Sequence, residues 1–417
     1  LKIIIVNYRY FISGGPERYL FNIQSILEEN GHEVIPFSIK SKRNTASQYE
    51  NYFLDPIGDD EIYFKEYRKS NIKTVLKSLT RAFYSFEAER KLKALIKAVN
   101  PDLIYVLYYT KISTSIFNAA AKSKIPVVNR ISDFGQICAN GLFFRPEQKD
   151  ICSRCLTGSK LNAIRYKCVH GSYLYSAIKV ASLKFQEISE VRKKIQAFVI
   201  PSNFTLEQFK LSGVPETKLV HIPTFFNYQS VDTNIQISYE PFALYIGRIE
   251  PEKGLLTLVK AFENTTFNLK IIGFSNTGFE DVLKEYLKDK NHNIEFLGRK
   301  EFDQIQLYLS KCSFTIVPSE WYDNFPNTIL ESFAFKKCTI ATDIGSLKEI
   351  VIDNETGLLF RIKDMENLKS KIEFLFANET ICRKMGENAF DKLEKEYSAE
   401  LHYKKLIKLF EKIVENY

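Results

Sequence analysis

Short apolar runs, most of them closed by glycine or proline, recur along the chain and alternate with longer stretches whose apolar residues repeat at helical spacing. The first run is Ile3-Ile-Ile-Val; after it come the loop Ser13-Gly-Gly-Pro-Glu-Arg, an amphipathic stretch over 19–30, and a second run in Gly31-His-Glu-Val-Ile-Pro-Phe. Gly31 stands where a helix C-cap calls for it. Leu103-Ile-Tyr-Val-Leu, Pro126-Val-Val-Asn and Ala197-Phe-Val-Ile-Pro read as further strands, with helical stretches between them. The same order restarts at Phe242-Ala-Leu-Tyr-Ile-Gly and continues through Asn268-Leu-Lys-Ile-Ile-Gly, Ile294-Glu-Phe-Leu-Gly, Phe314-Thr-Ile-Val-Pro and Thr339-Ile-Ala-Thr. Strands alternating with helices predict parallel, doubly wound sheets. The pattern therefore predicts an α/β protein of two Rossmann-like domains facing one cleft. We expect an N-terminal domain over 1–230, a polar linker within 227–240 and a C-terminal domain over 241–397. An amphipathic helix near 398–417 is expected to pack back on the first domain.

A length of 417 residues fits two such domains better than one core. The 58 basic and 50 acidic residues leave a net charge of +8, spread along the chain. That excess is too dilute to suggest nucleic acid, though compatible with an anionic membrane surface. No apolar run approaches the roughly 20 residues that span a bilayer, and the first strand lacks the features of a signal peptide. Seven cysteines, an odd number, argue against a secreted disulfide scaffold. A cytoplasmic enzyme is the expectation.

The richest chemistry lies between Pro318 and Glu331. Phe314-Thr-Ile-Val reads as a buried strand and Ile329-Leu-Glu-Ser-Phe-Ala as a helix start. Asp323 thus falls in the strand-to-helix loop and Glu331 in the first turns of the helix. Open α/β sheets bind ligands at this carboxyl edge, and helix-start amides suit anions. Two carboxylates would repel a shared phosphate, so each is better placed to accept hydrogen bonds from sugar or ribose hydroxyls.

With both halves laid out, the chain resembles the retaining glycosyltransferases of family 4, which have the two-domain GT-B fold. Three segments carry the resemblance: Tyr245-Ile-Gly-Arg-Ile-Glu-Pro-Glu-Lys-Gly254, Trp321-Tyr-Asp-Asn-Phe-Pro-Asn-Thr-Ile-Leu-Glu331 at the place of the E-x7-E motif, and Asp343-Ile-Gly-Ser-Leu-Lys-Glu-Ile-Val followed by Glu355-Thr-Gly-Leu-Leu-Phe. The resemblance implies a nucleoside diphosphate sugar donor, UDP- or GDP-linked. Arg248 and Lys253 would neutralise the leaving diphosphate in place of a metal. Glu331 would bind the ribose and Asp323 a hydroxyl of the transferred sugar, beside the backbone amides of Asn324 and Phe325. Gly247 and Gly298, together with the Gly14-Gly15 loop, would let backbone approach the donor. Glu17 and Arg18 read equally well as acceptor contacts or as first-turn helix charges.

Two departures stand out. The first acid of the pair is Asp323, one methylene shorter than the family's glutamate. Many members carry a His-Asp pair where this chain reads Arg130-Ile-Ser-Asp133, so Ser132 takes the histidine's position. A retaining front-face reaction needs no enzyme base, because the departing phosphate oxygen can take the acceptor proton. Asp133 remains a candidate for holding a substrate hydroxyl, with loop capping as the alternative.

Four cysteines, Cys138, Cys152, Cys155 and Cys168, crowd an insertion over 134–172. Cys152-Ser-Arg-Cys155 with one flanking cysteine on each side suits a structural zinc site, with His170 as a substitute for Cys168; buried thiols or a labile disulfide are the alternative. Basic and aromatic residues over 64–97, and Val191-Arg-Lys-Lys-Ile195, suggest contact with the inner membrane surface near a lipid-linked acceptor; amphipathic surface helices with solvated lysines are the simpler alternative. The expected function is metal-independent, retaining transfer of a hexosyl-type unit to a glycan or lipid-linked glycan in surface polysaccharide assembly. The rivals are a non-catalytic nucleotide-sugar-binding partner subunit and, more remotely, a nucleotide-sugar epimerase.

Overall fold

The computed structural model describes residues 1–58, 72–145, 147–228, 231–232 and 234–417. The first sheet contains β1 (Lys2–Val6), β2 (Glu33–Phe37), β3 (Leu103–Val106), β4 (Val127–Arg130), β7 (Ala197–Ile200) and β8 (Leu219–His221). Between β4 and β7 a two-stranded ribbon, β5 (Phe144–Arg145) and β6 (Asp150–Ile151), belongs to the cysteine-bearing insertion. The second sheet holds β9 (Phe242–Ile246), β10 (Asn268–Ile272), β11 (Asn293–Gly298), β12 (Phe314–Val317), β13 (Thr339–Thr342) and β14 (Gly357–Phe360). Both large sheets are parallel, in the orders β2-β1-β3-β4-β7-β8 and β11-β10-β9-β12-β13-β14.

Each sheet is buried on both faces, because successive strand residues point to opposite sides. In β1, Ile4 and Val6 enter one core while Ile3 and Ile5 enter the other. In β9, Ala243 and Tyr245 divide in the same way from Phe242 and Leu244. The strand order reverses between β1 and β3 in the first sheet and between β9 and β12 in the second. Loops leaving these strands open the crevice where such folds receive ligands.

The helix after β1, Gly15–Glu29, begins four residues before the stretch legible from periodicity. Pro16 sits in its first turn, where a missing N–H costs nothing. Gly31 follows it with φ of 80°, the left-handed conformation of a helix end. The final helix, Ala399–Glu415, returns to the first domain, where Leu406 and Phe410 join the core around Ile3, Ile5 and Tyr105. There His402 accepts from the Tyr19 hydroxyl at Nε2 (2.9 Å) and donates from Nδ1 to the Pro223 carbonyl (2.7 Å). A carbonyl can only accept, so the tautomer follows from the network.

Of the basic segments singled out in the sequence, 64–71 lies outside the described residues. The remainder forms the helices Ile72–Phe83 and Phe86–Val99, and Val191–Lys194 is a 3-10 turn. Among the described residues, no helix is long and apolar enough to cross a membrane.

Candidate functional site

Two loops at the switch point of the second sheet bring the site together. After β9 the chain makes a 3-10 turn, Pro251–Lys253, and Gly254 then takes φ of 72° to start the helix Leu255–Phe262. A Cβ on Gly254 would lie 1.8 Å from the Pro318 carbonyl oxygen at the end of β12. Only glycine lets the two loops close on each other there. Gly254→Ala should therefore destabilise the second domain by about 3 kcal/mol or more. Chemical denaturation of the variant beside the wild type measures this.

Closure of the loops places Lys253 against Asp323. Lys253 Nζ donates to Asp323 Oδ1 at 2.7 Å and Oδ2 at 3.0 Å, and lies 5.0 Å from the Trp321 ring centroid. Asp323, 7% exposed, also accepts from the Ser319 hydroxyl at 2.6 Å, while its own carbonyl accepts from Ser346 Oγ at 2.7 Å. The shortened acid is thus fixed by three side chains. Arg248 lies in the loop between β9 and this turn, but its guanidinium stands at the rim, half-exposed, 3.3 Å from Glu252. Gly247 meets Gly273 backbone to backbone: a Cβ on Gly273 would lie 1.9 Å from the Gly247 carbonyl oxygen. Gly273, which ends the strand Asn268-Leu-Lys-Ile-Ile-Gly, was not singled out in the sequence, although its strand-end place repeats that of Gly247. Gly298 ends β11, with φ of 67° and open space where a Cβ would point.

Glu331 lies on the helix Asn327–Ala334, which starts two residues before the stretch read from the sequence. It is only 4% exposed. Its Oε1 accepts from Arg18 Nη1 of the first domain at 2.7 Å; among the described residues its Oε2 has no hydrogen-bond partner. Burial raises the Glu331 pKa, and Arg18 opposes that shift. Arg18 is thus a cross-cleft contact rather than a solvated first-turn charge.

On the first-domain side, Gly14 and Gly15 stand at the start of the helix Gly15–Glu29, and a Cβ on Gly15 would be 3.2 Å from Asn327 Nδ2 across the cleft. Glu17 is turned inward: it accepts from Ser13 Oγ at 2.9 Å and lies 3.9 Å from Arg9. Its carboxylate braces the loop after β1. Asp133 accepts from the Gly135 amide at 2.7 Å, and burial raises its pKa against the opposing charge of Lys179. Ser132 donates to the Leu107 carbonyl at 3.0 Å and accepts from Arg130, whose guanidinium stacks 3.8 Å from the Tyr19 ring centroid.

Asn324 serves the domain contact as well as the loop, while Phe325 packs within the second domain. Asn324 Nδ2 donates to the Ile131 carbonyl at 2.9 Å, and its Oδ1 accepts from Thr205 Oγ1 at 2.8 Å. Phe325 packs edge-on against Tyr397. A third bridge was missed altogether. The Glu349 carboxylate accepts from the backbone amides of Asn203 and Phe204, at 2.8 and 2.6 Å, capping the helix Asn203–Leu211 of the other domain.

The zinc site expected from cysteine spacing is not assembled. Cys138, Cys152, Cys155 and Cys168 share the insertion, but among the described residues no three cysteine, histidine or acidic side chains converge as metal ligands. The Cys138 thiol is turned to Asn140 Oδ1 at 3.1 Å, and Cys155 toward the Lys160 carbonyl. Burial pushes the thiol of Cys155 up to about 12 and that of Cys168 to about 11, with the neighbouring sulfurs adding to the shift. Cys155 and Cys168 pack with Ala139, Ala163 and Leu183.

Comparison with known proteins bears on the half of the chain that carries the Lys253–Asp323 pair. Residues 233–392 match the family model described as Glycosyl transferases group 1. An uncharacterized glycosyltransferase of Methanocaldococcus jannaschii is 36% identical over 174 residues, which cover 42% of this chain and 48% of the relative. The capsular polysaccharide biosynthesis glycosyltransferase CapM of Staphylococcus aureus is 22% identical over 250 residues, 57% of this chain and 64% of that protein. The chain thus spans about half the length of the first relative and less than two-thirds of the second. The Anabaena protein HepE, solved in complex with UDP-glucose, superposes with a TM-score of 0.65 at 14% identity over 99% of both chains. The architecture is the GT-B fold, and its second domain carries the signature of group 1 glycosyl transferases.

Proposed function

We propose that the protein is a retaining glycosyltransferase that moves a sugar from a nucleoside diphosphate sugar to a glycan or lipid-linked glycan. The observation that carries this reading is the Lys253–Asp323 pair, held at 2.7 Å at the mouth of the second sheet. On the helix that follows the Asp323 loop is the buried Glu331, with one carboxylate oxygen still to be engaged. Such a site separates its tasks. The cations Lys253 and Arg248 take up the charge that grows on the departing diphosphate, with no metal required for that role. Asp323 holds a hydroxyl of the sugar and Glu331 a hydroxyl of the ribose. The backbone at Gly14, Gly15, Gly247 and Gly298 and the Asn324 and Phe325 amides shape the donor pocket, and Asp133 stands on the acceptor side.

In the reaction the acceptor hydroxyl attacks the anomeric carbon on the face the diphosphate leaves. The bond from that carbon to the phosphate oxygen breaks, and the hydroxyl proton passes to that oxygen. No enzyme base is needed, in keeping with Ser132 at the position where many members of the resembled family carry a histidine. A capsular polysaccharide enzyme and an enzyme acting on an undecaprenol-linked glycan among the relatives support an acceptor of that kind in polysaccharide assembly, used at the cytoplasmic face of the membrane.

A thermal-shift screen against nucleoside diphosphates and their sugars tests the reading. A ligand at 100 times its Kd adds about 2.7 kcal/mol to the native state, so one base should raise the melting temperature by several degrees. No response to any nucleoside diphosphate would remove the proposal. Binding with neither hydrolysis nor transfer of the sugar would instead identify a nucleotide-sensing subunit.

A further inference from the structure

The Arg18–Glu331 contact joins residues 313 positions apart and is one of two matched contacts between helix starts. On the first-domain helix, Gly15 and Arg18 lie three residues apart and share a face; on the second-domain helix, Asn327 and Glu331 lie four apart and do the same. Gly15 meets Asn327, and Arg18 meets Glu331. Arg18 also crosses to Phe302 of the second domain, its guanidinium carbon 5.3 Å from the ring centroid.

A cation in the first turn of a helix opposes the helix dipole, so nothing local favours arginine at position 18. A carboxylate buried like that of Glu331 is costly unless both oxygens are served. Arg18 serves Oε1 and leaves Oε2 without a partner among the described residues. The carboxylate is thus divided between the domains: one oxygen is held by protein, and the other remains available to a hydroxyl.

We propose that Arg18 is a positioning residue for the donor: it reaches across the cleft to hold Glu331 turned so that Oε2 accepts a ribose hydroxyl. This rests on the glycosyltransferase reading and goes further, because it makes the ribose site a product of both domains. Closing the cleft assembles the acceptor for the hydroxyl, and a bound nucleotide favours closure to the same degree.

The test is calorimetric titration of the full chain with uridine and guanosine diphosphates and their 2′,3′-dideoxy counterparts. Arg18→Gln should weaken the ribose form that binds by about tenfold, the worth of a charge-assisted hydrogen bond. It should change the dideoxy form by less than about twofold. Glu331→Gln should give the same pattern, the double variant should be no worse than Glu331→Gln alone, and Arg18→Lys should recover part of the loss. Equal losses for the ribose and dideoxy forms would overturn the proposal, since Arg18 would then act on the phosphates or only on the fold. Unchanged binding by Arg18→Gln would also overturn it, while leaving the glycosyltransferase reading intact. Wild-type protein that binds neither diphosphate would remove both.

Discussion

Lys253→Ala should lower kcat/KM for sugar transfer by about 10²–10³ while the protein remains folded. The reason is geometric. The ammonium of Lys253 is held by both oxygens of Asp323 and lies over Trp321, so it is in place before any ligand arrives. A charge already positioned need not reorganise as the diphosphate departs, and that preorganisation is what the alanine variant loses. The same substitution strands Asp323, leaving it the Ser319 hydroxyl as its remaining side-chain donor. We expect a stability loss of about 1–3 kcal/mol from that cause. Adding Asp323→Asn should restore most of the stability and none of the turnover, which separates the two effects. Unchanged transfer by Lys253→Ala would refute the assigned role.

The second large effect concerns acid. His402 is buried between Tyr19, Phe225 and the Pro223 carbonyl, and Arg130 stacks on the Tyr19 ring. Burial is the main cause of its pKa falling from 6.5 to about 3, and the positive charge of Arg130 adds to it. The sign is set by which state takes up the proton. Below pH 6.5 the unfolded chain binds a proton at this histidine and the folded chain does not. Stability is therefore full above pH 6.5 and falls by about 1.4 kcal/mol per unit as the pH drops toward 3. Between pH 6.5 and 4.5 the wild type should lose about 2–3 kcal/mol through this group. His402→Gln cannot lose that increment. Urea unfolding of both proteins at the two pH values gives the difference directly, and parallel losses in the two proteins would exclude His402 as the source.

Much of the fold was legible because parallel strands buried on both faces read as short, near-continuous apolar runs. Runs such as Ile3-Ile-Ile-Val and Phe314-Thr-Ile-Val cannot be mistaken for half-exposed strands, and a following proline, as at Pro318, marks where a loop begins. Helix starts were less legible. Pro16 and Asn327 lie within the first turns of helices whose apolar periodicity begins only later. Within the site, the sequence singled out Asp323 and Glu331 by their places between a buried strand and a helix, and Lys253 through the family resemblance. It could not show that Lys253 and Asp323 pair, that Arg18 answers Glu331, or that Glu349 caps a helix of the other domain. Such contacts depend on how two sheets face each other, and no local pattern encodes that. The cysteines illustrate the converse. Their spacing brings four thiols into one insertion, but backbone direction decides where each sulfur points, and here they turn to Asn140, Lys160 and apolar neighbours.

The chain leaves the first domain near Phe226 and comes back near Ser398, and these passages lie side by side. Phe226 donates its amide to the Tyr397 carbonyl at 2.9 Å and forms a parallel bridge with Ser398. One tether would let the halves swivel freely. Two adjoining tethers, stitched together, behave like the spine of a book: they permit opening and resist twisting. The pages therefore meet in the same register at every closing, with Gly15 returning to Asn327 and Arg18 to Glu331.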